Sequence, residues 1–106
     1  MQVTENDNVV VVSVAEDQCS TLWKTIEPYL GMGKKSIVLD FTYVNFLNSV
    51  NIAAIISTRN KVVAGGGKIA VAEIKDRVKA VFRVLKLERL FDLNLDRKSA
   101  LAVVKG

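Results

Sequence analysis

The chain has 106 residues, half of them hydrophobic and a quarter charged, and its formal net charge is +4. This length and composition exclude a disordered chain and predict one globular domain, residues 1–106. The sequence has no apolar run long enough for membrane insertion and no secretory signal pattern, so we expect a cytoplasmic protein. The positive charge is modest and lacks interleaved aromatic residues, which argues against direct binding of nucleic acid.

The N-terminal third predicts a β-hairpin followed by a helix. Residues 2–5 alternate between polar and apolar types, residues 6–8 form a turn cluster, and residues 9–14 are an almost unbroken valine run. The helix that follows ends at Gly31 and Gly33. Its predicted apolar side comprises Leu22, Trp23, Ile26, Tyr29 and Leu30.

The central third predicts a buried strand, a loop and a helix. The strand covers residues 37–41, whose apolar, β-branched character is typical of a strand covered on both faces. Helical spacing begins at Ser49, and both Asn48 and Ser49 are good N-cap residues. The glycines at 65–67 end the helix and precede a strand. This order is the reverse of a phosphate-binding loop, so we expect no phosphate site there.

The C-terminal third predicts two further strand–helix pairs. Residues 68–73 form a strand, Asp76 opens a helix, residues 91–95 alternate like a strand, and Asp96 caps a last helix. The full order is therefore β-β-α-β-α-β-α-β-α. Strands that alternate with helices pair in parallel through right-handed crossovers. The sequence thus predicts an α/β domain with a mixed, mainly parallel central sheet and covering helices.

The residue types argue against an enzyme. The chain has no histidine, so it lacks the commonest general base and the commonest metal ligand. Its single cysteine, Cys19, excludes an internal disulfide and fits a reducing compartment. With no histidine to activate it, this thiol is expected to be partly buried and inert. We expect no catalytic residue, no metal site and no cofactor.

The segment with the clearest functional potential is the start of the central helix. Helix N-termini favour anions through their free amides and the positive end of the dipole. A phosphate on Ser49 would add nearly two negative charges at such a place, which suits a switch on a docking surface. The alternative is that Ser49 is only an N-cap, worth about 1 kcal/mol.

Several segments together resemble the signature of STAS domains, the family of the bacterial anti-sigma factor antagonists. They are IVLDFT at residues 37–42, FLNS at 46–49 and IAAII at 52–56, followed by FRVLKL at 82–87, LF at 90–91 and AL at 100–101. The resemblance covers the whole chain in length and in the order of its elements. It implies a STAS-like, non-enzymatic binding domain.

By this resemblance, Ser49 corresponds to the family's phosphorylatable serine. The implied partner is an anti-sigma factor that is also a serine protein kinase. Phosphorylation by this kinase abolishes binding, and a phosphatase resets the cycle. The expected docking surface centres on the helix start, residues 48–52, and on the loop before it, residues 42–46. Its residues would be Thr42, Tyr43, Asn48, Asn51 and Ile52.

The helix start departs from the family pattern at three positions. Asn48 replaces an aspartate before the serine, Val50 replaces a serine or threonine, and Asn51 replaces a glycine. Asn48 keeps the size and capping ability of aspartate but loses its charge. Asn51 loses the room that glycine leaves for a closely approaching backbone.

Two other functions remain open at this point. STAS domains also serve as fixed scaffolds in signalling complexes or as small subunits of lipid transport systems, and the altered helix start fits that reading. Alternatively, the basic segment of residues 75–89 could bind a nucleotide or lipid. In that case charge reversal at Lys79 and Arg83 would abolish a salt-dependent affinity.

Overall fold

The computed structural model describes residues 1–105. Four strands are present in this range: β1 (Gln2–Asn6), β2 (Val9–Ser13), β3 (Ser36–Asp40) and β4 (Lys68–Ala72). The four α-helices are α1 (Leu22–Gly31), α2 (Ser49–Ala64), α3 (Asp76–Val84) and α4 (Arg97–Lys105). Short 3₁₀ helices span Glu16–Thr21 and Leu87–Arg89. Within residues 1–105, none of the helices has the length and hydrophobicity needed to cross a bilayer.

The strands form one mixed sheet in the order β1-β2-β3-β4. β1 and β2 are an antiparallel hairpin, whereas β2, β3 and β4 run parallel to one another. The predicted α/β class, the hairpin and the mainly parallel sheet are confirmed. The register places Asp40, at the end of β3, between Ser13 and Ala72. The carboxyl end of β3 therefore lies at the edge from which the loop to α2 departs.

Both faces of the sheet are covered, which explains the continuous valine run. Val10 and Val12 point into the larger core, which the sheet shares with α1, α2 and α3, whereas Val9 and Val11 point into a smaller core beneath α4. A strand that is buried on both faces has no polar positions to alternate with its apolar ones. β1, at one edge of the sheet, has exposed polar residues at four of its five positions.

The predicted strand at residues 91–95 is wrong. Within residues 1–105, β4 is the last strand, and the segment that follows the second 3₁₀ helix is a series of turns. The Oδ1 atom of Asp92 accepts a hydrogen bond from the Asn94 amide at 2.9 Å, which stabilises a turn instead of an extended chain. Phe91 and Leu93 are nonetheless buried. The alternation that suggested a strand reflects two loop side chains that point into the core.

Candidate functional site

The loop between β3 and α2, residues 41–48, begins with a turn built on a buried carboxylate. Asp40 is only 4% exposed. Its Oδ1 atom accepts hydrogen bonds from the amide of Thr42 at 2.8 Å and from the Thr42 hydroxyl at 2.6 Å. The carbonyl of Phe41 also accepts from the Val44 amide at 2.9 Å, and both of these side chains are buried. The first half of the loop is therefore held firmly against the core.

The second oxygen of Asp40 links this loop to α4. Oδ2 lies 3.4 Å from Nη1 of Arg97, the first residue of α4. The Arg97 amide in turn donates to Oε2 of Glu73 at 2.9 Å. Asp40 thus has hydrogen-bond partners on both oxygens. It acts as a structural connection between two segments, and its carboxylate is not free for chemistry.

The middle of the loop is tied to two distant elements. The amide of Asn45 donates to Oε2 of Glu16 at 3.3 Å, and Nζ of Lys75 donates to Oδ1 of Asn45 at 2.7 Å. Nδ2 of Asn51, on α2, donates to the carbonyl of Glu16 at 2.6 Å. The sequence predicts no role for Glu16 or Lys75 in holding this loop, and Asn45 is predicted only as part of the docking segment 42–46. Their partners lie at least 29 residues away in the chain, so no local pattern could have revealed them.

The start of α2 distinguishes the two predicted N-cap residues. Asn48 has the extended backbone of an N-cap, and its Oδ1 accepts from the Asn51 amide at 2.8 Å. Ser49 is the first helical residue, is exposed, and its hydroxyl makes no hydrogen bond within residues 1–105. The interpretation of Ser49 as the N-cap is therefore wrong, because the Asn48 side chain occupies the capping position and accepts from the Asn51 amide. Ser49 presents a free hydroxyl at the positive end of a helix of 16 residues.

Large apolar side chains are exposed on both sides of Ser49 along the chain. Tyr43 is 65% exposed, Phe46 62% and Val50 65%. We call these three residues the helix-start patch. Phe46 and Val50 lie within the predicted docking segments, residues 42–46 and 48–52, although neither is named there as an individual contact.

Four of the five predicted contact residues are at least partly exposed, and one is buried. Thr42, Tyr43 and Asn48 are exposed, and Asn51 is partly exposed. Ile52 is only 7% exposed and packs in the larger core. Ile52 therefore does not present its side chain for docking, because the inward face of α2 begins at this position.

The thiol of Cys19 is buried beside the middle of α2, near Ala54, Ser57 and Thr58. Its Sγ lies 3.7 Å from the carbonyl of Ala15. Burial raises the pKa of this thiol to about 11, and the nearby carboxylates of Glu16 and Asp17 add to the effect. A thiol that stays protonated at neutral pH is a poor nucleophile. Among residues 1–105, no three Cys, Asp or Glu side chains are grouped as metal ligands would be.

The basic segment of residues 75–89 is only partly available as a charged surface. Lys75 is engaged with Asn45, as described above. Nζ of Lys79 lies 3.8 Å from Oδ1 of Asp76 and 3.4 Å from Oδ1 of Asn94. The two lysines nearest the start of α3 therefore have partners in their own chain.

Residues 1–100 match the model of the STAS domain family. The chain belongs to the STAS domain family. A comparison with curated protein sequences gives no match.

Solved structures show the same fold. The protein TM1081 of Thermotoga maritima superposes with a TM-score of 0.84 at 18% identity, covering 97% of this chain and 86% of its own. An anti-sigma factor antagonist from Mycobacterium paratuberculosis gives 0.79 at 23% identity, with 99% and 92% covered. The phosphorylated form of the Bacillus cell fate determinant SpoIIAA gives 0.67 at 14% identity, with 98% and 96% covered. The STAS fold predicted from the sequence is confirmed.

Proposed function

We propose that this STAS domain is an anti-sigma factor antagonist-like protein in a partner-switching circuit. It binds an anti-sigma factor that is also a serine protein kinase, and phosphorylation of Ser49 releases this partner. The observation that carries the proposal is that Ser49, at the first position of α2, has an exposed hydroxyl that does not cap the helix. The family membership and the neighbours that are anti-sigma factor antagonists support it.

The helix-start patch supplies the apolar contacts for such a partner. Tyrosine is one of the side chains that most often carry binding energy at interfaces, and phenylalanine is enriched there. Tyr43 also lines a hollow of about 260 Å³, bordered on its far side by Met1, Gln2 and Gln18. A partner side chain inserted there would contact Tyr43 and the hairpin together. The loop is already ordered by Asp40, Asn48 and Glu16, so little conformational freedom is lost on binding.

Phosphorylation would change this surface without moving its backbone. A phosphate on Ser49 brings nearly two negative charges to the helix start, where free amides and the dipole stabilise them. The same charges would lie among the apolar residues that the partner must cover. Burying them costs more than the apolar contacts return, so the partner dissociates. A phosphatase that removes the phosphate restores the original surface.

The residues beside Ser49 have defined roles in this scheme. Asn48 supplies the cap that fixes the helix start, in place of the family's aspartate. Asn51 fills the position of the family's glycine with a side chain that is bonded to Glu16. The partner therefore meets a side chain where other members present open backbone. We expect a partner whose matching surface leaves space for this amide.

The test is a pull-down from the native lysate with the wild type, Ser49→Ala and Ser49→Asp, read by mass spectrometry. We expect the wild type and Ser49→Ala to capture a serine protein kinase and Ser49→Asp to lose it. Phosphate on the wild-type protein should map to Ser49. Ser57→Asp is the matched control, because Ser57 is an exposed serine two turns further along α2 and should leave capture unchanged.

Two outcomes would contradict the proposal. If all variants capture the same proteins and no phosphate is found, the domain is a fixed scaffold, as in the alternative drawn from the family. If Ser57→Asp loses the partner as completely as Ser49→Asp, the effect is one of charge on α2, and Ser49 is not a specific switch.

A further inference from the structure

A second apolar surface lies on α3, away from the helix start. Val84 is 80% exposed, more than any other large apolar side chain in residues 1–105, and Leu85 is 50% exposed. Together with Ala80 and Val81 they line a shallow hollow of about 270 Å³. We call these four residues the α3 patch. Ala80, Val81 and Val84 follow Arg77 at helical spacings of three, four and seven, so they share one face with it.

Four cations without ion-pair partners lie close to the α3 patch along the chain. Arg77, Arg83, Lys86 and Arg89 are exposed, and none of them forms an ion pair within residues 1–105. This distinguishes them from Lys75 and Lys79, which have partners in their own chain.

The charge of the whole chain is concentrated in the same segment. Residues 75–89 contain six basic and two acidic side chains, whereas the rest of the chain contains nine of each. The segment therefore accounts for the entire net charge of +4. Such an uneven distribution orients a molecule in the field of an anionic surface, with this segment foremost.

A second copy of the chain is a poor occupant for this patch, since it would bring two sets of unpaired cations together. A protruding valine among arginines and lysines instead matches the chemistry of a bilayer surface. Acyl chains accept the apolar tip, and anionic headgroups pair with the cations around it. We infer that the α3 patch and its four cations form a peripheral binding site for an anionic lipid bilayer. This site is independent of Ser49.

Vesicle co-sedimentation of the full chain tests the inference. The vesicles contain equal parts of phosphatidylglycerol and phosphatidylcholine, or phosphatidylcholine alone, at low and high salt. We expect binding to the anionic vesicles only, weakened by salt. Replacing Arg83 and Lys86 by glutamate should reduce binding by about twenty-five-fold or more, since each cation near an anionic surface contributes about fivefold. The matched control replaces Lys24 and Lys98, which are exposed elsewhere, by glutamate.

The apolar contribution is tested separately. Val84→Ser should weaken vesicle binding several-fold, whereas Val103→Ser, at a valine that is 52% exposed on α4, should not. Both positions are exposed, so neither change is expected to affect folding, which a thermal melt checks.

Three results would overturn the inference. One is a wild type that does not sediment with anionic vesicles at low salt. Another is an equal loss in the Lys24 and Lys98 control, which would show that net charge alone is responsible. The third is binding to soluble polyglutamate but not to vesicles, because the surface would then fit an acidic polypeptide.

Discussion

The helix-start patch and the α3 patch both expose large apolar side chains, but they differ in how they are held. The loop that carries the helix-start patch is fixed by the carboxylate of Asp40, by the side-chain oxygen of Asn48 that caps α2, and by the carboxylate of Glu16. The second lies at the end of a regular helix, with cations that lack ion-pair partners nearby along the chain. An ordered loop offers one defined shape, which suits recognition of a single folded protein. An exposed helix end with unpaired cations suits a surface recognised by charge. Exposure of apolar residues alone therefore does not identify the kind of partner.

The largest expected effect is on the buried carboxylate that orders the helix-start loop. Asp40→Ala removes the acceptor for the amide and hydroxyl of Thr42 and the partner of Arg97. We expect the free energy of unfolding to fall by about 2–3 kcal/mol. Asp76→Ala, at a fully exposed acid on α3, should change it by less than about 0.5 kcal/mol. Urea unfolding followed by circular dichroism measures both. Equal losses would show that the two regions are held alike.

Next is the contribution of the helix-start patch to partner binding. Tyr43→Ala should weaken binding of the protein captured by the wild type by about 2 kcal/mol, because aromatic anchors dominate such interfaces. Val84→Ala, in the α3 patch, should leave this affinity unchanged. Titration of each variant with the purified partner gives the comparison. If Val84→Ala weakens the protein complex as much as Tyr43→Ala, the two patches form one interface and their separation is wrong.

A smaller effect distinguishes the cap from the switch residue. Asn48→Ala should lower the free energy of unfolding by about 1 kcal/mol, since it removes the cap of α2. Ser49→Ala should change it by less than about 0.5 kcal/mol. Asn48→Asp should retain the cap and add a favourable interaction with the helix dipole. Thermal unfolding of the three variants tests this order. A loss at Ser49 equal to that at Asn48 would restore a capping role for the serine.

The smallest effect concerns Cys19, which is buried beside the middle of α2. Its pKa in the folded chain is about 11, raised from 9.0, so the folded state favours the protonated thiol. The stability that this gives is complete below about pH 9 and is lost as pH rises from 9 toward 11. We expect the wild type to lose stability in this window and Cys19→Ala to lose less. Iodoacetamide should label the folded wild type at pH 8 far more slowly than the urea-unfolded chain. Equal labelling rates would show that the segment around Cys19 opens readily.

Most of the fold could be predicted from the sequence, because its signals are local. The valine run, the glycines that end α1 and α2 and the helical spacing after Ser49 each depend on residues a few positions apart. The strand predicted at residues 91–95 is wrong because the buried side chains of Phe91 and Leu93 give a loop the apolar alternation of a strand. Only the turn at Asp92 shows that this segment does not pair with β4.

The α/β class and the mainly parallel sheet follow from local sequence patterns, whereas the proposed switch at Ser49 comes from the resemblance to the STAS family. Only the folded chain shows which residue caps α2, that Ile52 faces the core, and that Glu16 and Lys75 hold the loop. It also separated the four unpaired cations around the α3 patch from the two lysines that have partners. These contacts join residues that are far apart in the chain, such as Asp40 and Arg97, 57 positions apart. Local patterns report burial and helix periodicity, but only the folded chain brings such groups within hydrogen-bonding distance.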